Sequence, residues 1–588
     1  MFTPQVRCFE SSLKGEPVLP EPLCSRRTFL RGAVQTAAIF AARDFGPAGI
    51  NAATIQHEGD VQPALAQFIE RYMRAMYAPG LTLGLVHADG QTTTAAFGLS
   101  DVARSQPVTP EMLFQIGSIS KSFCALALLQ MRDEGKLDLH APILEYLPWL
   151  PIETPYGTIT THHLLTHSSG LPDNPPVFLS DRNARHQQAF KPGTQFHYSN
   201  LGFDILGHLA ASLDGRPYAS VLKTRIIDPL EMKATHPFIS NAIRAQEAQS
   251  YVIFRDDLTG LRDTRLEVAP REVFDGAAGC VASTPGDMTR YMTMLVRRGA
   301  GPKNRIVSEE SFALFATPFI EAEVFGPGAH YGYGIAVDTL AGHKLLRHTG
   351  GMNSFASSMQ VDLDGRVAAF ASINAMQGYR PNPVTKYALQ VMRAETEKKP
   401  LPEPDAIDDP RTIENAAEYQ GTYSGDSGSA EVLVEGRGLV VSIGGSRIRL
   451  QRSSDDNFVA EDEPWQEFPW IFLRGKPTKQ EAKAPITELI YGDKWYVNSA
   501  YLGPRKIAAP KRYASFAGVY DSGTDGIQIV ICKGMLMSGG VTLVEIGDGL
   551  FRRSDEPNSP EVLEFLYEIN GQCRMLSFTG IPYWRVNT

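Results

Sequence analysis

"FQIGSISKSF", residues 114–123, follows a glycine with two serines and a lysine in four positions, just before the apolar run FCALALLQM. The spacing of that run predicts a helix whose start carries Ser118, with free backbone N–H groups and the positive end of the helix dipole around it. Lys121 follows one turn later, and the i, i+3 spacing lays its ammonium on the face that carries Ser118. A serine hydroxyl is a weak nucleophile until a neighbouring base takes its proton, and a lysine whose charge is disfavoured by burial can be that base. S-x-x-K alone is weak evidence. It occurs also at residues 11–14 and 220–223, and a capping serine beside a solvated lysine accounts for an isolated pair.

Two further elements support the first. KPGTQFHYSN (191–200) brings a Pro-Gly turn, a strand-like approach and then Tyr198, Ser199 and Asn200, a Y-x-N element; a second Y-x-N, at Tyr496 and Asn498, lies in the C-terminal β region. LLRHTGGMNSF (345–355) places His348, Thr349, Gly350 and Gly351 after an apolar strand. With S-x-x-K, Y-x-N and H-x-G in this order, the chain resembles the serine β-lactamase and penicillin-binding-protein superfamily, especially its class C-like branch of esterases and D-amino-acid peptidases. The resemblance runs over residues 60–395 and includes LLTHSSGLP (164–172), IIDPLEMKAT, GAAGCVASTPGDMTRYM and YGYGIAV (331–337). It implies an α+β fold, an antiparallel sheet flanked by helices plus an all-helical lobe, with the site between them.

By the family pattern Ser118 is acylated, Lys121 and Tyr198 share proton transfer, and Asn200 holds the lysine and the substrate amide. His348, Thr349 and Gly350 bind and orient the substrate, while the backbone N–H groups of Ser118 and Gly351 form the oxyanion hole. Ser120 is expected on the helix surface and Cys124 in the core. Two departures shape the expected activity. No E-x-x-L-N element is present, so Tyr198 is expected to assist the deacylating water. His348 stands where the lysine of K-T-G recognises a substrate carboxylate, which exchanges a permanent cation for a group mostly neutral above roughly pH 6.5. That favours peptidase or esterase work over β-lactamase or transpeptidase work. The family's D-aminopeptidases carry H-x-G and append two β-barrels, so the architecture resembles theirs most; peptidases of linearised microcystins are also similar. The resemblance implies a serine hydrolase acting on amides or esters through an acyl-serine. Short peptides with D- or unusual residues lead as substrates, small acyl esters come second, and a β-lactamase or a penicillin-recognising sensor without turnover ranks below both.

The rest of the chain sets bounds. At 588 residues it exceeds one ordinary domain. Apolar residues make up 43% and charged residues 21%, and no run of 18 apolar residues predicts a transmembrane anchor. A net charge of −9 offers no basic footprint for nucleic acid. SRRTFLRG (25–32), followed by a short apolar run and small residues, reads as a twin-arginine signal, so residues 1–53 are set apart from the fold and a periplasmic or secreted location is expected. Residues 54–395 mix helical and strand patterns: a helix over 61–77, then two strands joined by an Asp-Gly turn. The charge- and proline-rich stretch 396–414 reads as a linker. Residues 415–505 and 510–588 read as two barrel-like β domains, because YQGTYSG (419–425) recurs as FAGVYDSG (516–523) with similar alternating strands behind it. They contain no candidate nucleophile and read as shape, gate or partner surface.

Cysteines 124, 280, 532 and 573 are too few for a disulfide framework, and the sequence leaves open whether Cys532 and Cys573 pair. His163 and His167 stand at i, i+4 without an H-E-x-x-H glutamate and read as structural, so no metal and no other cofactor is expected. Gly276, Gly279 and Gly286 read as loop glycines, and Trp465, Trp470 and Trp495 as barrel core. The expected partner is a small-molecule or short-peptide substrate; the sequence does not give the oligomeric state.

Overall fold

Helix α1 (Pro63–Met76) turns Leu65, Phe68, Ile69, Tyr72 and Met73 inward at helical spacing. The chain then runs into β1 (Gly80–Val86), reverses through the Asp89-Gly90 turn and returns as β2 (Thr92–Asp101), as the hairpin pattern predicts. This computed structural model describes residues 57–179, 184–253, 266–352, 354–375, 380–475, 484–523 and 525–586. The twin-arginine stretch lies outside them.

Helices α2 (Ser120–Asp133), α3 (Asn200–Asp214) and α4 (Pro285–Val296) follow, then four strands, β3 (Ala336–Leu340), β4 (His343–Met352), β5 (Phe355–Asp362) and β6 (Val367–Ile373), and the closing helix α5 (Asn382–Glu397). The strands pair antiparallel in the order β2-β1-β6-β5-β4-β3, with short strands at both edges. Strands β1, β5 and β6 are buried along their whole length, which requires cover on both faces. On one face α1 and α5 supply it, with Phe68 and Tyr387 in ring contact at 5.0 Å. On the other, Met359, Ala368 and Phe370 pack into the core that α2 and α4 share with the helical lobe. Helix α2 is apolar nearly all round and is correspondingly enclosed.

The C-terminal part forms two closed eight-strand barrels, one from Gly421–Gly425 to Lys494–Val497 and one from Gly518–Asp521 to Ile581–Arg585. The sequence repeat has a physical basis in a shared hydrogen bond. Tyr423 donates its hydroxyl to the carbonyl of Tyr419 at 2.8 Å, and Tyr520 donates to that of Phe516 at 2.7 Å, fixing the same turn at each barrel's start. The linker begins two residues later than its composition suggests, since α5 continues to Glu397; residues 399–409 then carry no regular structure.

One pairing left open by the sequence is answered here, and one expectation is corrected. Cys532 and Cys573 are unpaired thiols, because Cys532 sits in the contact between the barrels and Cys573 inside the second barrel's core. Trp465 and Trp470 belong to the first barrel's core, but Trp495 packs at the contact between the barrels, its indole donating to Glu488 at 2.7 Å.

Candidate active site

Ser118 lies in a 3-10 turn, Gly117–Ile119, that leads directly into α2. Gly117 has a left-handed backbone, φ 51°, and a β-carbon there would stand 2.6 Å from the nitrogen of Gly351 on β4. The strand edge and the nucleophile turn therefore touch backbone to backbone, which glycine alone permits. The next glycine up the strand has the same function. A β-carbon on Gly350 would fall 1.8 Å from the carbonyl oxygen of Ile116.

Lys121 is fully buried, with its Nζ 2.6 Å from Asn200 Oδ1, 2.8 Å from the carbonyl of Ala278 and 3.1 Å from Ser118 Oγ. Two of these partners are carbonyl oxygens and can only accept. In the neutral amine two protons serve them and the lone pair is left for the hydroxyl of Ser118. Burial favours that form: it lowers the Lys121 pKa to about 7, against the raising effect of Asp204 and Asp173. Asn200 is itself oriented, its amide donating to Asn174 at 2.9 Å and its backbone N–H to Asp173 at 2.9 Å.

The ring of Tyr198 lies over Lys121, with Nζ 4.8 Å from its centroid, and its hydroxyl interacts with Ser118. Burial raises the phenol pKa, so Tyr198 keeps its proton at neutral pH and can act as a relay rather than as a standing tyrosinate. Ser118, Lys121, Tyr198 and Asn200 are thus brought together.

His348 is placed differently from the sequence expectation. It is buried, Nδ1 donates to the carbonyl of Thr349 at 2.6 Å, and Nε2 accepts from Tyr331 at 2.8 Å. Both ring nitrogens are engaged by the protein, and burial, then Lys121, lowers the pKa to about 3. The imidazole is neutral well below pH 6.5 and presents no free nitrogen to a substrate. Thr349 is half-buried opposite Ser358 on β5, and Gly350 serves the close approach to Ile116. Ser120, expected on the surface, is fully buried, because its hydroxyl accepts from the N–H of Val281 at 3.1 Å and pins the loop that supplies Ala278.

Sequence reading missed several residues that belong to this site. Arg380 lies in GYRPNP, which matches no motif, yet its guanidinium is 2.8 Å from where a β-carbon of Gly351 would stand. Among the described residues it has no hydrogen-bond or ion-pair partner, and burial lowers its pKa. Asp204, one turn into α3, accepts from the N–H of Ala278 at 3.1 Å, the residue whose carbonyl holds Lys121. From the second barrel, Glu561 accepts from the N–H of Asp173 at 2.7 Å and meets His197 Nε2 at 3.1 Å. Beside them opens a cleft of ≈ 570 Å³, lined by Asp173, His197 and Tyr198 on one side and Glu556, Asn558 and Phe578 on the other.

Comparison with known proteins agrees with this arrangement. The profile of the Beta-lactamase family matches residues 65–391. A penicillin-binding protein of Bacillus subtilis (strain 168) is 25% identical over 420 residues, 64% of this chain and 89% of its own. An unguisins hydrolase of Aspergillus campestris (strain IBT 28561) is 28% identical over 325 residues, 50% of this chain and 58% of its own. Among solved structures, the octameric penicillin-binding protein homologue from Pyrococcus abyssi matches with a TM-score of 0.52 and 25% identity, over 74% of this chain and 99% of that one.

Proposed function

The chain belongs to the β-lactamase family, and from that premise we propose an exported serine hydrolase that cleaves amide or ester bonds through an acyl intermediate on Ser118. The observation that carries this reading is the environment of Lys121: two fixed carbonyl acceptors, a desolvated amine and the hydroxyl of Ser118 at 3.1 Å. In the first half-reaction Ser118 Oγ attacks the substrate carbonyl carbon and its proton passes to Lys121. The oxyanion that forms accepts from the N–H groups of Ser118 and Gly351. Tyr198 then gives its phenolic proton to the leaving nitrogen or oxygen and regains one from Lys121, and the bond to the leaving group breaks. In the second half-reaction water attacks the acyl carbon, its proton enters the same relay, and Ser118 Oγ leaves with a proton returned.

Short peptides containing D- or unusual residues are the leading substrates, and small acyl esters are the alternative. Arg380 narrows the class. A half-buried guanidinium with no partner among the described residues is a recognition group for an anion, so a substrate carboxylate near the scissile bond fits beside Gly351. This restores, from another element, the cation that His348 lacks.

The test pairs short D- and L-peptide anilides with acyl esters, each with and without a free carboxylate. Ser118→Ala is expected to abolish turnover and the acyl adduct seen by mass spectrometry; turnover that survives overturns the reading. Arg380→Ala is expected to reduce the preference for the carboxylate-bearing partner about tenfold. An unchanged preference removes Arg380 from the substrate site. Export rests on residues 25–32, and replacing Arg26 and Arg27 by lysine is expected to keep the precursor in the cytoplasm; undiminished export of processed protein rejects that route.

A further inference from the structure

His167 lies in LLTHSSGLP, and the chemistry described above makes no use of its ring. Its backbone is left-handed, φ 54°, a conformation uncommon for residues with a β-carbon, so the surroundings must hold it there. Three contacts do so, and they end on residues 197, 198 and 199. The His167 carbonyl accepts from the N–H of His197 at 2.7 Å, and Nδ1 accepts from the N–H of Ser199 at 3.0 Å. Between these two bonds the imidazole packs on the ring of Tyr198, with centroids 4.2 Å apart and planes at 33°. Phe203 and Tyr331 close its other sides at 5.0 and 4.9 Å, and the side chain is buried.

We infer that His167 is the positioning residue of Tyr198: it grips the backbone on both sides of that tyrosine and backs its ring, so that the phenol keeps one direction towards Ser118 and the leaving group. This inference rests on the acyl-serine reading and deepens it. Because Nδ1 accepts, the ring proton sits on Nε2, which has no hydrogen-bond partner among the described residues. Burial, and then Lys121, hold the imidazole neutral. His167 therefore exchanges no proton and acts through Tyr198.

The consequence is a dependence on the leaving group. An amide nitrogen must be protonated before its C–N bond breaks, and the phenol of Tyr198 is the donor at hand. A p-nitrophenyl ester of the same acyl group departs as a phenolate and needs no such proton. Misdirecting Tyr198 penalises the amide and spares the ester, whereas a general loss of structure penalises both.

Two substitutions separate the contacts. His167→Phe keeps a ring and loses the acceptor; His167→Asn suits the left-handed backbone and loses the ring. In each, amide turnover is expected to fall about tenfold or more while acylation by the p-nitrophenyl ester falls less than about threefold. In a Tyr198→Phe background either substitution is expected to lower amide turnover by less than about twofold, because both act through one phenol. Equal losses on both leaving groups, or a full additional loss in the Tyr198→Phe background, overturn the inference. If His167→Phe does not fold, His167→Asn decides by the same criteria. Failure of the underlying reading has a different signature, since it appears as turnover in Ser118→Ala whatever the His167 variants do.

Discussion

At Lys121 burial outweighs the charges that oppose it. Burial strips the ammonium of water and lowers its pKa, Asp204 and Asp173 raise it, and Arg380 lowers it again, for a net value of about 7. A lysine that must be neutral to accept the proton of Ser118 loses its function as the pH falls through that value. With an uncharged activated ester, kcat/KM is therefore expected to drop about tenfold per pH unit below about pH 7, and His348, with a pKa of about 3, adds no step in that range. Asp204→Asn keeps an oxygen for the N–H of Ala278 but removes a charge that raises the Lys121 pKa, so the acidic limb is expected to move to lower pH. A pH–rate profile in which the limb stays in place would show that the charge of Asp204 does not reach the base. A limb moving to higher pH would show that Lys121 is not that base.

β4 and the turn before α2 meet backbone to backbone. Gly350 leaves no space for a side chain against Ile116, so Gly350→Ala must displace either the strand edge or the turn that bears Ser118. A shift of about 1 Å at a reacting group costs on the order of a hundredfold, and labelling of Ser118 by an active-site serine probe is expected to slow by about that factor while the circular dichroism of the sheet is retained. Undiminished labelling would mean that the strand edge does not set the serine. Local pattern explains what the sequence disclosed here. Helix α1, the β1-β2 hairpin and the barrel repeat follow from periodicity and turn residues, and Ser118, Lys121, Tyr198 and Asn200 were legible because each sits in a short motif. Ser120 and Arg380 were not, for opposite reasons. Ser120 is buried because a distant loop donates to it. Arg380 comes from a proline-rich stretch with no periodicity, and only the bare backbone of Gly351 makes room for it. His348 was recognised as a motif residue, but its depth depends on Tyr331 and Phe325, which lie on other segments.

The second barrel reaches the catalytic domain through Glu561, whose carboxylate holds the N–H of Asp173, His197 and the hydroxyl of Ser559. Asp173 in turn holds the N–H of Asn200, and His197 precedes Tyr198, so a barrel side chain is one residue removed from two members of the site. Its partners outweigh burial, which alone would raise the Glu561 pKa, and keep the carboxyl below the usual glutamate value. Residues of the same barrel line one wall of the cleft beside Tyr198, where the barrel can limit the length of a substrate. Glu561→Ala leaves a part-buried N–H on Asp173 without its acceptor and loosens that wall, whereas Glu561→Gln keeps an oxygen for it. For Glu561→Ala, kcat/KM on longer peptide amides is expected to rise about tenfold relative to a one-residue amide, with the short substrate within about threefold of native and Glu561→Gln close to native on both. A parallel change on long and short substrates would place the effect of Glu561 on Asn200 and Tyr198 through Asp173 and His197, and the barrel would then be a support for the catalytic residues and not a gate.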